Sequence, residues 1–254
     1  MDIQKFKKIG KSKYKVYLNN SEVILYEDVI LKYNLLLQKN IDLKKLDKLL
    51  KENKYYEAYY SALSYVDIKM RCESEVRQYL TNKGYDITEI KEVIEKFKGQ
   101  NIINNENYIK SYINDKINLS YDGPEKIKNQ LITLGLDESL IKSYIEKIDD
   151  SIWIGKIDKI IEKRKKINKL SKNAFINKTH IHLLTLGYRV DLIHERLHNI
   201  NIDNKQEIVK DYKKAYDKYN NKYTDKELKY RIQNYLYRKQ YSTEEINEII
   251  DLNQ

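Results

Sequence analysis

Four segments of the chain repeat one pattern of apolar and polar positions around a turn residue. The turn residues are Gly84, Gly135, Gly187 and Gln240, so successive copies lie 51, 52 and 53 residues apart. Apolar residues occupy the same places in every copy, four residues before the turn residue and one, six and ten residues after it. Such spacings on both sides of a short break are typical of two amphipathic helices joined by a tight turn. A period of this length predicts tandem supersecondary units.

The apolar columns are the candidate core of each copy. Four residues before the turn stand Leu80, Leu131, Leu183 and Leu236, and six residues after it stand Ile90, Ile141, Ile193 and Ile246. A glycine at the turn predicts a positive φ, which lets the chain leave the first helix. Gln240 departs from this rule. Either a left-handed glutamine or a different turn must therefore serve in the last copy.

The first part of the chain follows a different pattern. Alternating apolar and polar residues and turn residues predict strands at 3–9, 13–18 and 23–26, a turn at 19–21, and helices at 27–33 and 42–53. We interpret this segment as a small β-sheet cap joined to a lead-in helix. A capping piece is expected at the end of a repeat array, because the first repeat would otherwise expose an apolar face.

Together these patterns predict a mainly all-α fold, an elongated curved array of tandem three-helix repeats behind the small N-terminal cap. The predicted domains are 1–53 for the cap and lead-in helix, and 54–101, 102–149, 150–202 and 203–254 for repeats 1 to 4. Ser74 and Thr88 are candidate N-caps, and Pro124 suits the first turn of a helix. One proline, seven glycines and 34% charged residues agree with a protein of long helices.

Composition narrows the classes of function. Cys72 is the only cysteine, which excludes an intrachain disulfide and a cysteine metal cluster. The chain has no apolar run of the roughly 20 residues that a membrane span needs, and no signal-peptide pattern, so we expect a cytoplasmic protein without a membrane partner. A net charge of +10 favours a polyanion or an acidic protein surface as partner. A lysine-rich solvated surface is the alternative.

The most basic stretch lies in repeat 3 and is the strongest candidate for a binding surface. It contains Lys163, Arg164, Lys165, Lys166, Lys169 and Lys172. On one continuous helix, residues 165, 166, 169 and 172 would form a basic ridge. Neighbouring cations without local anions repel one another, and nucleic-acid phosphates or the acidic groove of a protein filament would neutralise them. An ordinary solvated helix face is the alternative interpretation.

His194 to His198 spells H-E-x-x-H, the pattern of zinc proteases. That chemistry requires both imidazoles to face an interior site with a third ligand. The repeat register argues otherwise, because the columns of the two histidines hold only charged or polar residues in the other copies: Lys91, Lys142 and Asn247, and Glu95, Glu146 and Asp251. We therefore expect solvent-facing histidines, no metal, no cofactor and no enzyme activity.

Two ordered motifs resemble the RecX family of bacterial proteins. Residues 71–80 read Arg-Cys-Glu-Ser-Glu-Val-Arg-Gln-Tyr-Leu, and residues 123–131 read Gly-Pro-Glu-Lys-Ile-Lys-Asn-Gln-Leu, with a glycine four residues later. The resemblance covers roughly residues 55–252 and touches the N-terminal strands. The fourth repeat departs from the three of short family members. Asn101–Asn105 also departs, because it replaces the usual glycine and aspartates.

RecX proteins modulate the RecA recombinase. The resemblance implies a non-enzymatic regulator that binds RecA filaments on single-stranded DNA and damps ATP hydrolysis and strand exchange. The basic residues inside the two motifs, Arg71, Arg77, Lys126 and Lys128, join the candidate binding residues. Direct binding to DNA without RecA is the alternative function. A monomer is expected.

Overall fold

A computed structural model of the protein describes residues 1–19, 21–198 and 200–253. The chain opens with an antiparallel sheet of three strands in the order β1 (Ile3–Lys8), β2 (Lys13–Leu18) and β3 (Ser21–Tyr26). The predicted turn between β2 and β3 includes Asn20, which lies outside the described residues. The three predicted strands are confirmed, with each end within two residues of the prediction.

Helices make up most of the remaining chain, so the mainly helical class with a small N-terminal sheet is confirmed. They are α1 (Glu27–Lys32), α2 (Leu43–Val66), α3 (Glu73–Asn82), α4 (Ile87–Gly99), α5 (Asn105–Leu119), α6 (Pro124–Thr133), α7 (Glu138–Ile145), α8 (Asp150–Lys166), α9 (Lys172–Thr185), α10 (Val190–His198), α11 (Lys205–Tyr219), α12 (Asp225–Arg238) and α13 (Thr243–Asp251). We refer to α2–α4, α5–α7, α8–α10 and α11–α13 as repeats 1 to 4. A short 3₁₀ turn, Leu35–Leu37, lies between α1 and α2.

The sheet buries one face against the first two helices. Val16 and Leu25 of this face are fully buried and belong to one core cluster with Val29, Ile30, Leu46 and Leu49 of α1 and α2. The amide of Asn53 in α2 reinforces this packing, because its Oδ1 accepts from the Tyr26 backbone N–H at 2.8 Å and its Nδ2 donates to the Ile24 carbonyl at 3.0 Å. The cap is therefore joined to α2 by both apolar burial and backbone pairing.

The lead-in helix and the first helix of repeat 1 are one continuous helix. The prediction of a helix at 42–53 stops too early, since α2 continues to Val66. No glycine or proline interrupts residues 43–66, so nothing in the local sequence ends the helix at 53. The predicted boundary between cap and repeat 1 falls inside α2.

The chain divides into two compact units, residues 1–111 with 134–136, and residues 112–133 with 137–254. The predicted core columns are buried in both. Leu80, Leu131, Leu183 and Leu236 are fully buried, and the isoleucines six residues after the turns are at most 2% exposed. The four repeats therefore place equivalent residues in equivalent buried positions.

The three turn glycines have the left-handed backbone conformation that the pattern predicted, and Gln240, for which two alternatives were open, has it too. The φ angles are 84° at Gly84, 72° at Gly135, 83° at Gly187 and 63° at Gln240. Gln240 is thus a left-handed glutamine rather than part of a different turn. The N–H of the residue after Gln240 donates to the Leu236 carbonyl at 3.3 Å, the bond that closes a helix C-terminus of this type.

Two helix starts differ from the prediction. The N-cap of α3 is Cys72 and the N-cap of α4 is Asp86, each two residues before the predicted Ser74 and Thr88. In both helices a glutamate three residues after the N-cap accepts from the N-cap backbone N–H, which forms a capping box. A glutamate at that position therefore located these helix starts better than the nearest hydroxyl residue.

Gly123 and Gly187 bring α6 and the following repeat into backbone contact within the second compact unit. The Gly123 N–H donates to the Leu186 carbonyl at 2.6 Å, and the Glu125 N–H donates to the Gly187 carbonyl at 3.0 Å. A Cβ on Gly123 would lie 2.6 Å from the Gly187 carbonyl carbon. The Gly-Pro pair therefore combines a close approach with a helix start, since α6 begins at Pro124 as predicted.

Candidate partner-binding surface

The basic stretch of repeat 3 does not form a ridge on one helix. Helix α8 ends at Lys166, Lys169 lies in the connection, and Lys172 is the first residue of α9. The helix ends because Asn168 forms local bonds with Leu170, accepting from its N–H and donating to its carbonyl, both at 3.1 Å. The prediction of a continuous ridge is therefore wrong, and the cations occupy a helix end, a loop and a helix start.

Five lysines of this stretch are exposed, and we call them the α8–α9 basic segment: Lys163, Lys165, Lys166, Lys169 and Lys172. Among the residues that the structure describes, none of the five has a carboxylate within ion-pair distance. Cations in the last turn of α8 are stabilised there by the helix dipole. The segment therefore presents positive charge to solvent without internal neutralisation.

Arg164, the sixth predicted cation, has a structural contact instead. Its Nε donates to the Thr179 hydroxyl of α9 at 3.1 Å, and Thr179 is fully buried. The guanidinium is half-buried and joins α8 to α9 within repeat 3. Arg164 therefore positions the segment and offers less of its charge to a partner.

The sequence interpretation missed an exposed apolar residue in the middle of this segment. Ile167 is 78% exposed and follows directly after the end of α8. The apolar stripe of α8 runs through Ile157, Ile160 and Ile161, so a continuing helix would next bury positions 164 and 168 rather than 167. The position of Ile167 outside this periodic stripe could have indicated from the sequence that its side chain is exposed. The segment is thus cationic with an apolar side chain at its centre.

Arg71 is largely covered by its contacts within repeat 1. Its guanidinium lies over the Tyr65 ring at 4.0 Å from the centroid, and Tyr65 stacks on Tyr79 at 4.1 Å. It also pairs with Glu75 at 3.0 Å, with 14% of the side chain exposed. Burial would raise the pKa of Glu75, but the Cys72 N–H and Arg71 outweigh burial and lower that pKa. Arg71 therefore stabilises the start of α3.

The other three cations of the motifs are held in ion pairs. Arg77 pairs with Glu73 at 2.8 Å. Lys126 pairs with Asp122 at 2.7 Å. Lys128 pairs with Glu138 at 3.2 Å. Glu73 also binds Lys98 and Asp122 also binds Lys116, so these carboxylates neutralise the cations only in part. Because each cation nevertheless has a carboxylate partner, these residues are weaker candidates for contact with a polyanion than the α8–α9 basic segment.

A buried lysine shows that cation position alone does not reveal function. Lys156 of α8 is 8% exposed and donates to the carbonyls of Lys116 at 3.0 Å and Ile117 at 2.6 Å. These carbonyls lie near the end of α5, where the helix dipole favours a cation. Burial lowers the pKa of Lys156. The residue fastens α8 to α5 inside the second compact unit.

The histidines of the H-E-x-x-H pattern lie on the outside of α10. His194 and His198 are exposed, as the repeat register predicted, and Glu195 between them is exposed too. With Ile176, Asn177, His180 and Leu197 they line a groove of about 740 Å³. The rings of His180 and His194 meet edge to face, with centroids 5.1 Å apart. No group of three or more metal-binding side chains with suitable geometry occurs in the described ranges.

The fold and surface define a class of protein, a tandem array of three-helix repeats with a solvent-facing cationic segment. None of the described helices is both long and apolar enough to cross a membrane. Two family models match the chain: the first three-helix domain of RecX over residues 58–97, and the third over residues 206–250. The matched ranges fall in repeats 1 and 4.

The chain belongs to the RecX family. It is 32% identical to the regulatory protein RecX of Streptococcus agalactiae over 254 residues, covering 97% of this chain and 98% of the relative. The regulatory protein RecX of Lactococcus lactis is 26% identical, with coverage of 98% and 95%.

Two solved structures share the fold. A crystal structure of regulatory protein RecX matches with a TM-score of 0.65 and 22% identity, covering 78% of this chain and 99% of that one. RecX from Lactobacillus salivarius matches with a TM-score of 0.54 and 27% identity, covering 59% and 99%. The family resemblance drawn from the two motifs is thereby confirmed, and the chain is a regulatory protein of this family.

Proposed function

We propose that the protein is a non-enzymatic regulator that binds RecA filaments assembled on single-stranded DNA. Bound along the filament, it restrains ATP hydrolysis and strand exchange and so modulates recombination and repair. It acts in the cytoplasm, as a monomer, and needs no cofactor. Membership of the RecX family supports the class of target. The observation that carries the proposal is the α8–α9 basic segment, with five exposed lysines around the exposed Ile167.

The composition of this segment favours a protein surface over bare DNA. A phosphate backbone would neutralise the lysines but offers no apolar partner for Ile167 at a helix end. An acidic protein groove offers both charge and apolar area, and protein interfaces combine an apolar centre with a polar rim. Ile167 is the apolar residue of this segment, and lysines precede and follow it in the sequence.

The repeated architecture supports a multivalent contact with the filament. A filament presents the same subunit surface at regular intervals, and tandem repeats present related helical surfaces along one chain. Linking several weak contacts raises the effective concentration for each later contact. Strong binding then does not require a single strong site.

The test is co-sedimentation with RecA on single-stranded DNA, beside free RecA and bare DNA. Alanine at Lys163, Lys165, Lys166, Lys169 and Lys172 should weaken filament binding at least tenfold, about 1.4 kcal/mol. A control variant removes the same charge from exposed lysines elsewhere: Lys5, Lys7, Lys39, Lys44 and Lys91. Equal losses in the two variants would mean that net charge, rather than this segment, drives binding.

Direct DNA binding is the second candidate, and exposed tyrosines of repeat 4 favour it. Tyr216, Tyr230 and Tyr237 are 42%, 57% and 44% exposed, and aromatic rings beside lysines suit stacking with unpaired bases. Salt separates the two functions, because binding to bare DNA falls steeply as counterions are added. Ile167→Ser, which removes the apolar side chain without changing the charge, should weaken filament binding and leave bare-DNA binding almost unchanged. Equal affinity for bare DNA and for filaments at every salt concentration would favour the second candidate.

A zinc hydrolase using His194 and His198 is a third possibility, and metal content tests it. We expect protein purified without added metal to contain zinc well below one equivalent. The reason is that the two imidazoles are exposed and share no third ligand within the described ranges. Stoichiometric zinc would contradict the non-enzymatic assignment.

A further inference from the structure

One hydrogen bond recurs wherever a repeat meets the next. In each case the donor lies at the start of the middle helix of a repeat, and the acceptor is the carbonyl just before the turn residue of the following repeat. The pairs are the Ser74 hydroxyl with Leu134, the Gly123 N–H with Leu186 at 2.6 Å, and the Ser171 hydroxyl with Lys239 at 2.7 Å. The first pair lies in the first compact unit, and the other two lie in the second.

Further contacts show that the junction is a surface and not a single bond. Between repeats 3 and 4, the Asn177 amide donates to the Gln240 side chain at 2.8 Å. Between repeats 2 and 3, the Tyr188 hydroxyl donates to the Tyr121 carbonyl at 3.0 Å. A turn of one repeat is therefore received by the first turns of the middle helix of the repeat before it.

The same receiving surface is open at the end of repeat 4. Helix α12 has the length of α9 and begins 53 residues later, so Ser171 and Phe175 correspond to Thr224 and Leu228. Ser171 and Phe175 are each 2% exposed, whereas Thr224 is exposed and Leu228 is half-buried. A groove of about 450 Å³ lies there, lined by Tyr212, Tyr216, Leu228, Ile232 and Ile250 among others.

The complementary turn is open in repeat 1. Lys83 is the first-repeat equivalent of Leu134, Leu186 and Lys239, and the turn at 81–84 is exposed. Open space at the glycine does not distinguish this turn, because a Cβ on Gly84 and one on Gly135, whose turn lies in a junction, would both meet nothing within 4 Å. The difference is at the preceding carbonyl. Among the described residues no donor reaches the Lys83 carbonyl. The chain therefore carries an unused turn in its first repeat and an unused receiving surface in its last.

We propose that the Lys83–Gly84 turn of one copy docks on the start of α12 in a second copy. The occupant is a second copy because the contact continues the three junctions already present within the chain. Charge agrees at Asp225 in the first turn of α12, which Lys83 would approach, whereas Glu227 of the same turn is already paired with Arg231 at 2.8 Å. Such a contact joins two different surfaces, so it does not close and can extend along a row of molecules.

The contact is small, so it leaves dilute protein monomeric and becomes populated where copies are concentrated. A polymer that binds many copies side by side supplies that concentration. The concentration of copies on a filament rests on the proposed function. Contacts between neighbouring copies would then make coverage of the filament cooperative. The docking surface itself does not depend on RecA.

Disulfide trapping tests the contact in the full-length chain. In a Cys72→Ser background, Lys83→Cys and Thr224→Cys are combined and the concentrated protein is oxidised. We expect a ladder of disulfide-linked oligomers on a non-reducing gel. An equal mixture of the two single-cysteine proteins should give a heterodimer and nothing larger. Ser171→Cys with Lys239→Cys is the positive control, because this pair spans an existing junction and should close within one chain.

A surface variant keeps the test independent of folding. Tyr230 occupies the place of Asn177 and is 57% exposed, so Tyr230→Ala, which removes the ring from the docking surface without changing its charge, should reduce the ladder at least fivefold and leave the melting temperature unchanged. A ladder that is absent from concentrated protein, or equal amounts of 83–83 and 83–224 dimers, would overturn the proposal. A ladder without filament binding would contradict the proposed function alone. Filament binding without a ladder would contradict this inference alone.

Discussion

The turn residues share one backbone conformation but differ in what surrounds them. Gly187 has a φ of 83° and lies against α6, where a Cβ would come within 2.4 Å of the Lys126 backbone N. Gly84 has a φ of 84°, with nothing within 4 Å of such a Cβ. Conformation and packing can therefore be separated by comparing the same substitution at the two positions.

We predict that Gly187→Ala destabilises the second compact unit by about 2–5 kcal/mol. A left-handed alanine costs about 1–2 kcal/mol, and the clash with α6 adds a further cost of about 1–3 kcal/mol. Gly84→Ala carries only the first cost and serves as the matched control. Urea unfolding followed by circular dichroism measures both. Equal decreases in the free energy of unfolding in the two variants would contradict the close backbone contact between Gly187 and α6.

Gln240 offers the opposite test, because it is a non-glycine residue in a left-handed conformation. We predict that Gln240→Gly stabilises repeat 4 by about 1 kcal/mol, since glycine adopts a φ of 63° without a steric penalty. The lost bond from Asn177 is exposed and offsets little of this gain. Asn177→Ala measures that offset separately. A lower melting temperature in Gln240→Gly would contradict the prediction.

At the scale of single elements, the start of α3 combines a capping box with a partly buried ion pair. The Glu75 carboxylate accepts from the Cys72 N–H at 3.1 Å and pairs with Arg71 at 3.0 Å. These partners lower the pKa of Glu75 below its unfolded value, against the opposing effect of burial. Glu75 therefore contributes stability above the unfolded pKa, and this contribution is lost as pH falls through the folded pKa.

We predict that Glu75→Gln costs about 1–2 kcal/mol at pH 7, because the amide keeps a capping acceptor but loses the charge pair with Arg71. The difference from the unsubstituted protein should shrink as pH falls through the folded pKa of Glu75, which lies below the unfolded pKa. Glu89→Gln at the start of α4 is the control, since Glu89 forms a capping box without an arginine partner. Thermal unfolding at several pH values measures the effect. A pH-independent difference would contradict it.

The elements also show where local sequence is a good guide. The apolar columns located the helices around each turn, because burial of one face fixes the spacing of apolar residues. Helix starts were less predictable, because the sequence offers two plausible capping signals for α3: the hydroxyl of Ser74, and Glu75 three residues after Cys72. The Ser74 hydroxyl donates to the Leu134 carbonyl of the next repeat. Because that acceptor is 60 residues away in the sequence, local patterns do not predict it.

At the scale of the whole molecule, the proposed multivalent contact predicts that affinity depends on the number of repeats. Removing repeat 4, residues 203–254, should weaken filament binding at least tenfold, because each linked contact multiplies the effective affinity. Co-sedimentation measures the loss, and circular dichroism checks that the remaining repeats stay helical.

A full-length companion removes the concern about folding of the truncated chain. Alanine at Lys213, Lys218 and Lys222 removes exposed charge from repeat 4 and keeps its helices. It should weaken filament binding in the same direction and by a smaller factor. Unchanged affinity in both proteins would contradict the multivalent version of the proposed function.

The sequence by itself determined the period, the buried columns, the left-handed glycine turns, the solvent-facing histidines and the family. These features depend on residues a few positions apart, or on one position compared among four copies. Only the tertiary structure decided which cations are available. Arg71 lies on Tyr65, Lys126 pairs with Asp122, and α8 stops before Lys169. The physical reason is that the free energy of a charge depends on its burial and its partners, and these are set by the packing of elements rather than by spacing along the chain.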